Sequence, residues 1–231
     1  MKNLVFLPLL LLLMGTSSYA QDPERKWAFG IFLGKNEYDG DFGSGIANPD
    51  IAFYPLGGLS LNRYLTPSFD AAVFCTYGQY GYYKSPQFSF LGTKTDGSLL
   101  LYYKLANGHI FRKDALLRPF LAVGLGVATY SGSRMEGGTD ITLPIGGGIK
   151  YCYSRSVAFQ YQLLMNYTNN DNHDGFVNGY NEVYVTHTIG LVLTLGTSED
   201  KHGKYTPTSI GCRQLAPRPK PSKKKKGRLI F

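Results

Sequence analysis

The sequence predicts an all-β fold, an eight-stranded antiparallel up-and-down β-barrel that spans a membrane. Three observations predict it. Apolar residues alternate with small or polar ones between Trp27 and Gly196, and turn-forming residues interrupt this pattern repeatedly. The two faces of the runs differ sharply, one bulky and apolar, the other small and polar. Tyr and Phe are abundant, with 18 and 14 copies, and many lie near the ends of the runs.

The alternating runs define eight strands. The predicted strands are Lys26 to Lys35, Ile51 to Tyr64, Ser68 to Tyr82, Thr95 to Ala106, Arg118 to Ser131, Asp140 to Tyr153, Ser156 to Thr168 and Val183 to Thr197.

The composition of the two faces indicates which one meets lipid. In the fifth run Leu121 and Val123 share one face, while Ala122 and Gly124 share the other. A water-soluble barrel would need charged side chains opposite its apolar face, and this sequence has few there. A membrane barrel reverses the arrangement, because lipid solvates the apolar face and a narrow lumen takes small and polar side chains. The alternative left open is a soluble, lipocalin-like ligand-binding barrel with Leu121, Val123, Phe159 and Leu193 in its interior.

The ends of the 231-residue chain differ from the centre. Residues 1–20 predict a cleaved signal peptide: Lys2, an apolar run from Leu4 to Met14, and a small-residue cleavage site ending at Ala20. Residues 21–197 form the predicted barrel. Residues 198–231 form a Pro- and Lys-rich tail, predicted to be disordered, which carries ten basic and two acidic residues, whereas residues 21–197 carry thirteen and fourteen.

The connections between the runs alternate between short and long. Leu65 to Pro67 and Ser154 to Arg155 are tight turns, whereas Asn36 to Asp50 and Asn169 to Glu182 are longer and rich in Gly, Asp and Asn. Tyr83 to Lys94 is also predicted to be a longer loop. Bacterial barrels have short periplasmic turns and long external loops. The pattern therefore predicts that both chain ends face the periplasm of a Gram-negative bacterium, with the barrel in the outer membrane.

The central region resembles the OmpA-type outer-membrane β-barrel family, in particular its Bacteroidetes-like variants. The resemblance covers about residues 27–196 and rests on four segments. It implies eight strands and a structural or weakly pore-forming role. The C-terminal peptidoglycan-binding domain of many members has no counterpart after Thr197. The four segments are Phe29 to Gly34, Leu59 to Leu65, Pro119 to Gly126 and Gly190 to Leu193.

Two sets of side chains are candidate functional residues. Charged and amide side chains on the inward face predict a polar plug in the lumen, with Asp70 and Lys104 as an ion pair. Aromatic residues near the strand ends predict girdles at the two membrane interfaces. The plug consists of Asp70, Lys104, Lys150, Gln160 and Gln162, and the girdles of Trp27, Tyr64, Phe69, Phe120, Tyr151, Phe159, Tyr77, Tyr130 and Tyr167.

The cysteines and one histidine receive structural interpretations. Cys75 and Cys152 fall on opposite faces of their strands, so a bridge between them is not expected, and both are interpreted as small apolar fillers. Cys212 in the tail is interpreted as a candidate free thiol. His187 points outward, where a bulge or a position near the lipid headgroups accounts for it better than a metal site, since no second ligand lies at suitable spacing.

These features predict a structural barrel rather than an enzyme. The sequence contains no catalytic motif of the common hydrolase, metalloprotease or nucleotide-binding types, and no cofactor or metal is expected. A lipid-modifying barrel enzyme remains a less favoured alternative. The expected partners are outer-membrane lipid and, through the tail, anionic periplasmic components. Nucleic acid is not an expected partner of an exported chain, and the barrel is expected to be a monomer.

Overall fold

The fold is a closed antiparallel β-barrel of eight strands. The computed structural model describes residues 27–39, 53–83, 89–112, 115–132, 137–154, 156–169 and 182–195, and in these ranges no helix is long and apolar enough to cross a bilayer. Each strand pairs with the next along the chain, and the last pairs with the first, which confirms the predicted fold class. The strands are β1 (Trp27–Asp39), β2 (Tyr54–Tyr64), β3 (Phe69–Tyr83), β4 (Ser89–Lys104), β5 (Leu117–Gly132), β6 (Gly138–Cys152), β7 (Val157–Thr168) and β8 (Val183–Leu195).

The strand registers set the width of the barrel. A path that starts at Trp27 and follows paired residues once around the sheet returns to β1 at Glu37, so the shear is 37 − 27 = 10 residues. Eight strands with such a stagger are tilted by about 35–45° and enclose an interior that side chains can fill. The path runs through Arg63, Ala71, Leu101, Val123, Ile145, Met165 and Val185.

The fourth strand is longer than predicted. It begins at Ser89 rather than Thr95, so most of the segment predicted to be a loop between Tyr83 and Lys94 is strand. Gly92 explains the error, because glycine inside a run usually indicates a turn. Here a Cβ at Gly92 would lie 2.8 Å from the ring of Tyr80, so glycine leaves room for an inward tyrosine.

Side-chain direction alternates strictly, with odd-numbered residues facing outward in every strand. Four apolar residues decide between a membrane barrel and a soluble one. Leu121, Val123, Phe159 and Leu193 are 54%, 45%, 45% and 39% exposed, on the outside. An exterior dominated by apolar residues is stable in hydrocarbon and not in water, and closure pairs the backbone groups as hydrocarbon requires. The lipocalin-like alternative, which requires these residues inside, is therefore wrong.

Glycines on the inward face make room for the few bulky inward residues. Phe32 is buried in the lumen and packs edge-on against Phe74, with ring centroids 5.4 Å apart. A Cβ at Gly30 or Gly190 would lie 2.5–2.6 Å from the Phe32 ring. The small residues on the inward face are thus required by the narrow, filled interior, which has no space for larger side chains at these positions.

The tight turns define one end of the barrel, which we call the lower rim; the opposite end is the upper rim. In the β2–β3 turn the Thr66 hydroxyl accepts hydrogen bonds from the backbone N–H groups of Ser68 and Phe69. The Asn107 side chain caps the longer β4–β5 connection in the same way. Gly108 follows with φ of 93°, a conformation that glycine adopts without strain.

We expect a charge on the outward face to destabilise the barrel strongly. Leu125 is 65% exposed in the middle of β5, and Leu125→Arg should lower the free energy of unfolding in lipid vesicles by about 2–4 kcal/mol, because the guanidinium would lie in hydrocarbon. Equilibrium unfolding followed by fluorescence of the single tryptophan, Trp27, measures it. Leu116→Arg is the matched control, since Leu116 is 58% exposed in the β4–β5 connection. Equal effects of the two changes would contradict lipid contact along β5.

Candidate functional site

The lower part of the lumen contains the predicted ion pair. The Lys104 ammonium donates hydrogen bonds to Asp70 Oδ1 at 2.5 Å and to the Thr66 carbonyl at 2.8 Å. Lys150 and Arg118 face the same space and interact electrostatically with Asp70. Arg118 was not among the predicted plug residues, although its even number places it on the inward face. The described lower lumen therefore has three basic groups and one acid.

A layer of amide and phenol groups lies above these charges. The Tyr102 hydroxyl donates to Gln162 Oε1 at 2.9 Å, and Gln160 Nε2 donates to the same oxygen at 3.2 Å. Both glutamines are buried, as the plug hypothesis requires. Apolar side chains fill the space around them: Ala28, Phe32, Tyr64, Ala72, Phe74, Leu100, Phe120, Ala122, Leu164 and Val192 form one buried cluster with Tyr102.

The upper lumen is organised around a buried lysine that the sequence analysis missed. Lys94 Nζ lies 3.3 Å from Asp96 Oδ2 and 2.9 Å from the centre of the Tyr184 ring. Asp96 also accepts hydrogen bonds from the Tyr184 hydroxyl at 2.7 Å and the Thr76 hydroxyl at 2.8 Å. Burial of a cation is costly unless it is paired, so these contacts make the side chain of Lys94 tolerable inside the barrel.

Aromatic side chains occupy the lumen towards the upper rim. The Tyr38 and Phe90 rings are 4.9 Å apart in an edge-to-face arrangement, and Tyr80 packs on Phe90 at 5.7 Å. Tyr82 and Tyr130 complete this buried cluster. Polar or aromatic side chains thus occupy the lumen of the described strands from the lower part to the upper rim.

The structure divides the predicted girdle residues between the two faces. Trp27, Phe69, Tyr151, Phe159, Tyr77 and Tyr167 face outward, and Arg63 lies 5.0 Å above the Trp27 ring. Tyr64, Phe120 and Tyr130 were wrongly included. They are 7%, 6% and 2% exposed and point into the lumen. They were selected by their position along the strand, but even-numbered residues face inward in this barrel, so strand ends supply aromatic rings to both sides.

The cysteines partly contradict the sequence interpretation. Cys75 is free and exposed on the outward face, and it is not bridged to Cys152. Cys152 is buried and disulfide-bonded, so its interpretation as an apolar filler is wrong; its partner and Cys212 lie outside the described residues. The positions of Cys75 and Cys152 on opposite strand faces keep these two apart, but they place no restriction on a bridge from Cys152 to a cysteine outside the strands.

A polar cluster lies on the outward face, where apolar residues dominate. The Glu37 carboxylate forms an ion pair with Lys35 and lies 3.5 Å from His187 Nε2. The Tyr161 hydroxyl is hydrogen-bonded to His187 Nδ1 at 3.0 Å. We call these four residues the outward cluster. Among the described residues, no group of three or more His, Cys, Asp or Glu side chains is placed to hold a metal ion.

Of this cluster, only His187 is recognisable in the sequence. Glu37 is distant from it in sequence and follows the predicted end of β1 at Lys35. The structure extends β1 to Asp39 and pairs it with β8, which brings Lys35 opposite His187. The predicted closure of the barrel could have indicated this contact, because closure makes the first and last strands neighbours.

An apolar groove adjoins the outward cluster and has a volume of about 420 Å³. Leu33, Phe53, Pro55 and Ile189 contribute apolar walls, and Lys35, Tyr161 and His187 also line it. The groove opens on the outward face, in the direction of the surrounding lipid.

Comparison with solved structures establishes the fold relationship. The chain is similar to Neisserial surface protein A (NspA), with a TM-score of 0.52 and 16% identity over 73% of this chain and 97% of that one. The chain has the fold of the outer-membrane β-barrels.

Two further solved structures have lower TM-scores. Ail, the attachment invasion locus protein of Yersinia pestis, has a TM-score of 0.47 and 12% identity over 76% of this chain and 100% of that one. The outer membrane enzyme PagL has a TM-score of 0.39 and 11% identity over 73% and 99%. No protein-family model matches the sequence, and no curated protein is detectably similar to it. The OmpA-type family is therefore not established for this chain.

We expect Lys94 and Asp96 of this barrel to be strongly coupled. Asp96→Asn removes the charge that compensates a fully buried ammonium and should lower the free energy of unfolding by about 3–5 kcal/mol. Lys94→Met combined with Asp96→Asn should cost less than the sum of the single changes, by about 1–3 kcal/mol. Denaturant unfolding of the four proteins in one detergent gives the coupling. Additive effects would show that the two side chains do not interact in the folded barrel.

Proposed function

We propose that this protein is a structural barrel of the Gram-negative outer membrane that supports envelope integrity and is closed to solutes. The observation that carries the proposal is the combination of an apolar exterior with an interior filled at three levels. The exterior anchors the fold in a bilayer, because its burial in lipid is favourable and its exposure to water is not. The filled interior argues against a diffusion channel, so the weak-pore alternative has less support.

The plug in this proposal has several layers. The Asp70–Lys104 pair forms the lower one, the Tyr102–Gln162 layer the middle one, and the Lys94–Asp96 pair the upper one. An ion that enters from either end would have to displace packed side chains at each level. The predicted ion pair is then one part of the closure rather than a single gate.

The orientation and the ends of the chain also belong to the proposal. The signal peptide of residues 1–20 would direct export, and the lower rim, with its tight turns, would face the periplasm. Residues 198–231 would then extend into the periplasm, where their positive charge favours contact with anionic components. The connections at the upper rim would be available to external partners. We propose a monomer because a closed barrel leaves no unpaired strand edge.

Membrane placement is tested by electrophoresis of outer-membrane fractions. A folded barrel retained in the membrane should migrate faster in unheated detergent samples than after boiling, because closure keeps the chain compact. We expect the unheated protein in the outer-membrane fraction to give this faster band. A soluble periplasmic protein, or a single band at both temperatures, would contradict the proposal.

Closure is tested by conductance in planar bilayers. We expect no sustained channels from the wild-type barrel, and none after the double change Asp70→Ala and Lys104→Ala, because the middle layer still fills the lumen. Adding Phe32→Ala and Phe120→Ala removes two large rings from that layer but leaves the Lys94–Asp96 layer in place, so this variant should also give no sustained channels. Sustained wild-type conductance would overturn the closed-barrel proposal; channels from the lysine–aspartate variant alone would show that this pair is the gate.

A further inference from the structure

The outward cluster lies at a height where ionisable groups need an explanation. Lys35 is eight residues beyond Trp27 along β1, which at about 2.5 Å of height per tilted residue places it roughly 20 Å above the lower girdle. The apolar band of such barrels is about 25 Å tall. Lys35 and Glu37 therefore lie near the upper border of the band, at the level where acyl chains give way to headgroups. Ionisable groups within a membrane region commonly mark a binding site.

The geometry of the cluster favours binding over acid–base catalysis. Nδ1 of His187 is hydrogen-bonded to Tyr161, and Nε2 faces the Glu37 carboxylate. Neither ring nitrogen points freely towards a ligand, so the imidazole is poorly placed to exchange a proton with one. Lys35 is the most accessible charged group, with its side chain 29% exposed compared with 10% for Glu37. Its ammonium has room for a second anionic partner beside Glu37.

The groove next to Lys35 supplies the complementary apolar surface. Its opening on the lipid-facing side means that a membrane lipid is the molecule that reaches it, and its volume of about 420 Å³ suits an acyl chain. A cation at the headgroup level with an apolar groove beside it matches an amphiphile that has an anionic phosphate and a hydrocarbon chain.

We propose that the outward cluster and its groove bind one anionic glycerophospholipid. The Lys35 ammonium contacts the lipid phosphate, and an acyl chain lies in the groove against Leu33, Phe53 and Ile189. Glu37 competes with the phosphate for Lys35, while His187 and Tyr161 hold Glu37 and the edge of the groove in position. This inference rests on the proposed membrane placement and extends it by naming a lipid class and its site.

The test uses the purified, folded full chain in neutral detergent, with lipid binding measured by native mass spectrometry. Phosphatidylglycerol is the probe, and diacylglycerol with the same acyl chains is the reference without phosphate. Phosphatidylglycerol should bind more tightly than diacylglycerol. Lys35→Gln should weaken phosphatidylglycerol binding about tenfold, the effect of losing one charge-assisted contact, and should leave diacylglycerol binding unchanged.

Glu37→Gln is the decisive companion variant. Both single changes break the same Lys35–Glu37 ion pair. If this pair only stabilised the barrel, the two variants would change the affinity for phosphatidylglycerol in the same direction. A binding role shifts it in opposite directions, because Glu37→Gln frees Lys35 for the phosphate and should strengthen phosphatidylglycerol binding. Phe53→Ala should weaken binding of both lipids, since it removes a wall of the groove.

Three results would overturn the site: equal affinity for the two lipids, parallel effects of Lys35→Gln and Glu37→Gln, or no effect of Phe53→Ala. Each sample is also run unheated and boiled on a detergent gel. A variant that keeps the faster-running folded band yet loses phosphatidylglycerol binding supports the site. Wild-type protein that is folded in the outer membrane but shows no lipid preference would reject this inference while leaving the proposed function intact.

Discussion

Closure of eight strands with a shear of ten residues is the constraint on which the rest of the structure depends. It fixes a lumen so narrow that side chains fill it, and it forces every bulky inward residue to find a small neighbour. Phe32 is accommodated because Gly30 and Gly190 have no Cβ beneath its ring. The same closure pairs the first strand with the last, so the backbone groups of both strands are hydrogen-bonded within hydrocarbon. It also brings together residues that are far apart in sequence, such as Glu37 and His187.

A narrow lumen also determines how its charges are stabilised. Little water can solvate Lys94 at the level where it lies, so its ammonium depends on the Asp96 carboxylate and the Tyr184 ring. Asp96 in turn accepts from two hydroxyl groups, which leaves neither of its oxygens without a donor. Polar groups inside this barrel therefore form small, locally paired sets. The arrangement reverses that of a soluble protein, in which apolar residues fill the centre and charges meet the solvent.

Local alternation made the fold predictable, whereas contacts between distant strands were beyond what a single sequence reveals. A period of two identifies strands and faces directly, and so it gave eight strands and the outward position of Leu121 and Phe159. Tyr64, Phe120 and Tyr130 were misplaced because proximity to a strand end was given more weight than parity. Lys94 was missed because Gly92 suggested a loop where glycine makes space for Tyr80. The outward cluster was missed because strand pairing, not sequence spacing, unites its members.

The charges in the lumen are arranged with opposite sign at the two ends. Among the described inward residues, the lower part has Lys104, Lys150 and Arg118 with Asp70, and the upper part has Lys94 with Asp96, Asp140 and Glu182. The formal balance of these described residues is therefore +2 below and −2 above, and their charges sum to zero. The positive lower end repels a cation that approaches from below, and the negative upper end repels an anion that approaches from above. An anion that enters from below is repelled by the upper end, and a cation that enters from above is repelled by the lower end. Electrostatics thus opposes passage of both signs of ion and acts together with the packed layers, so the charge pattern supports the proposal of a closed barrel as the filled interior does.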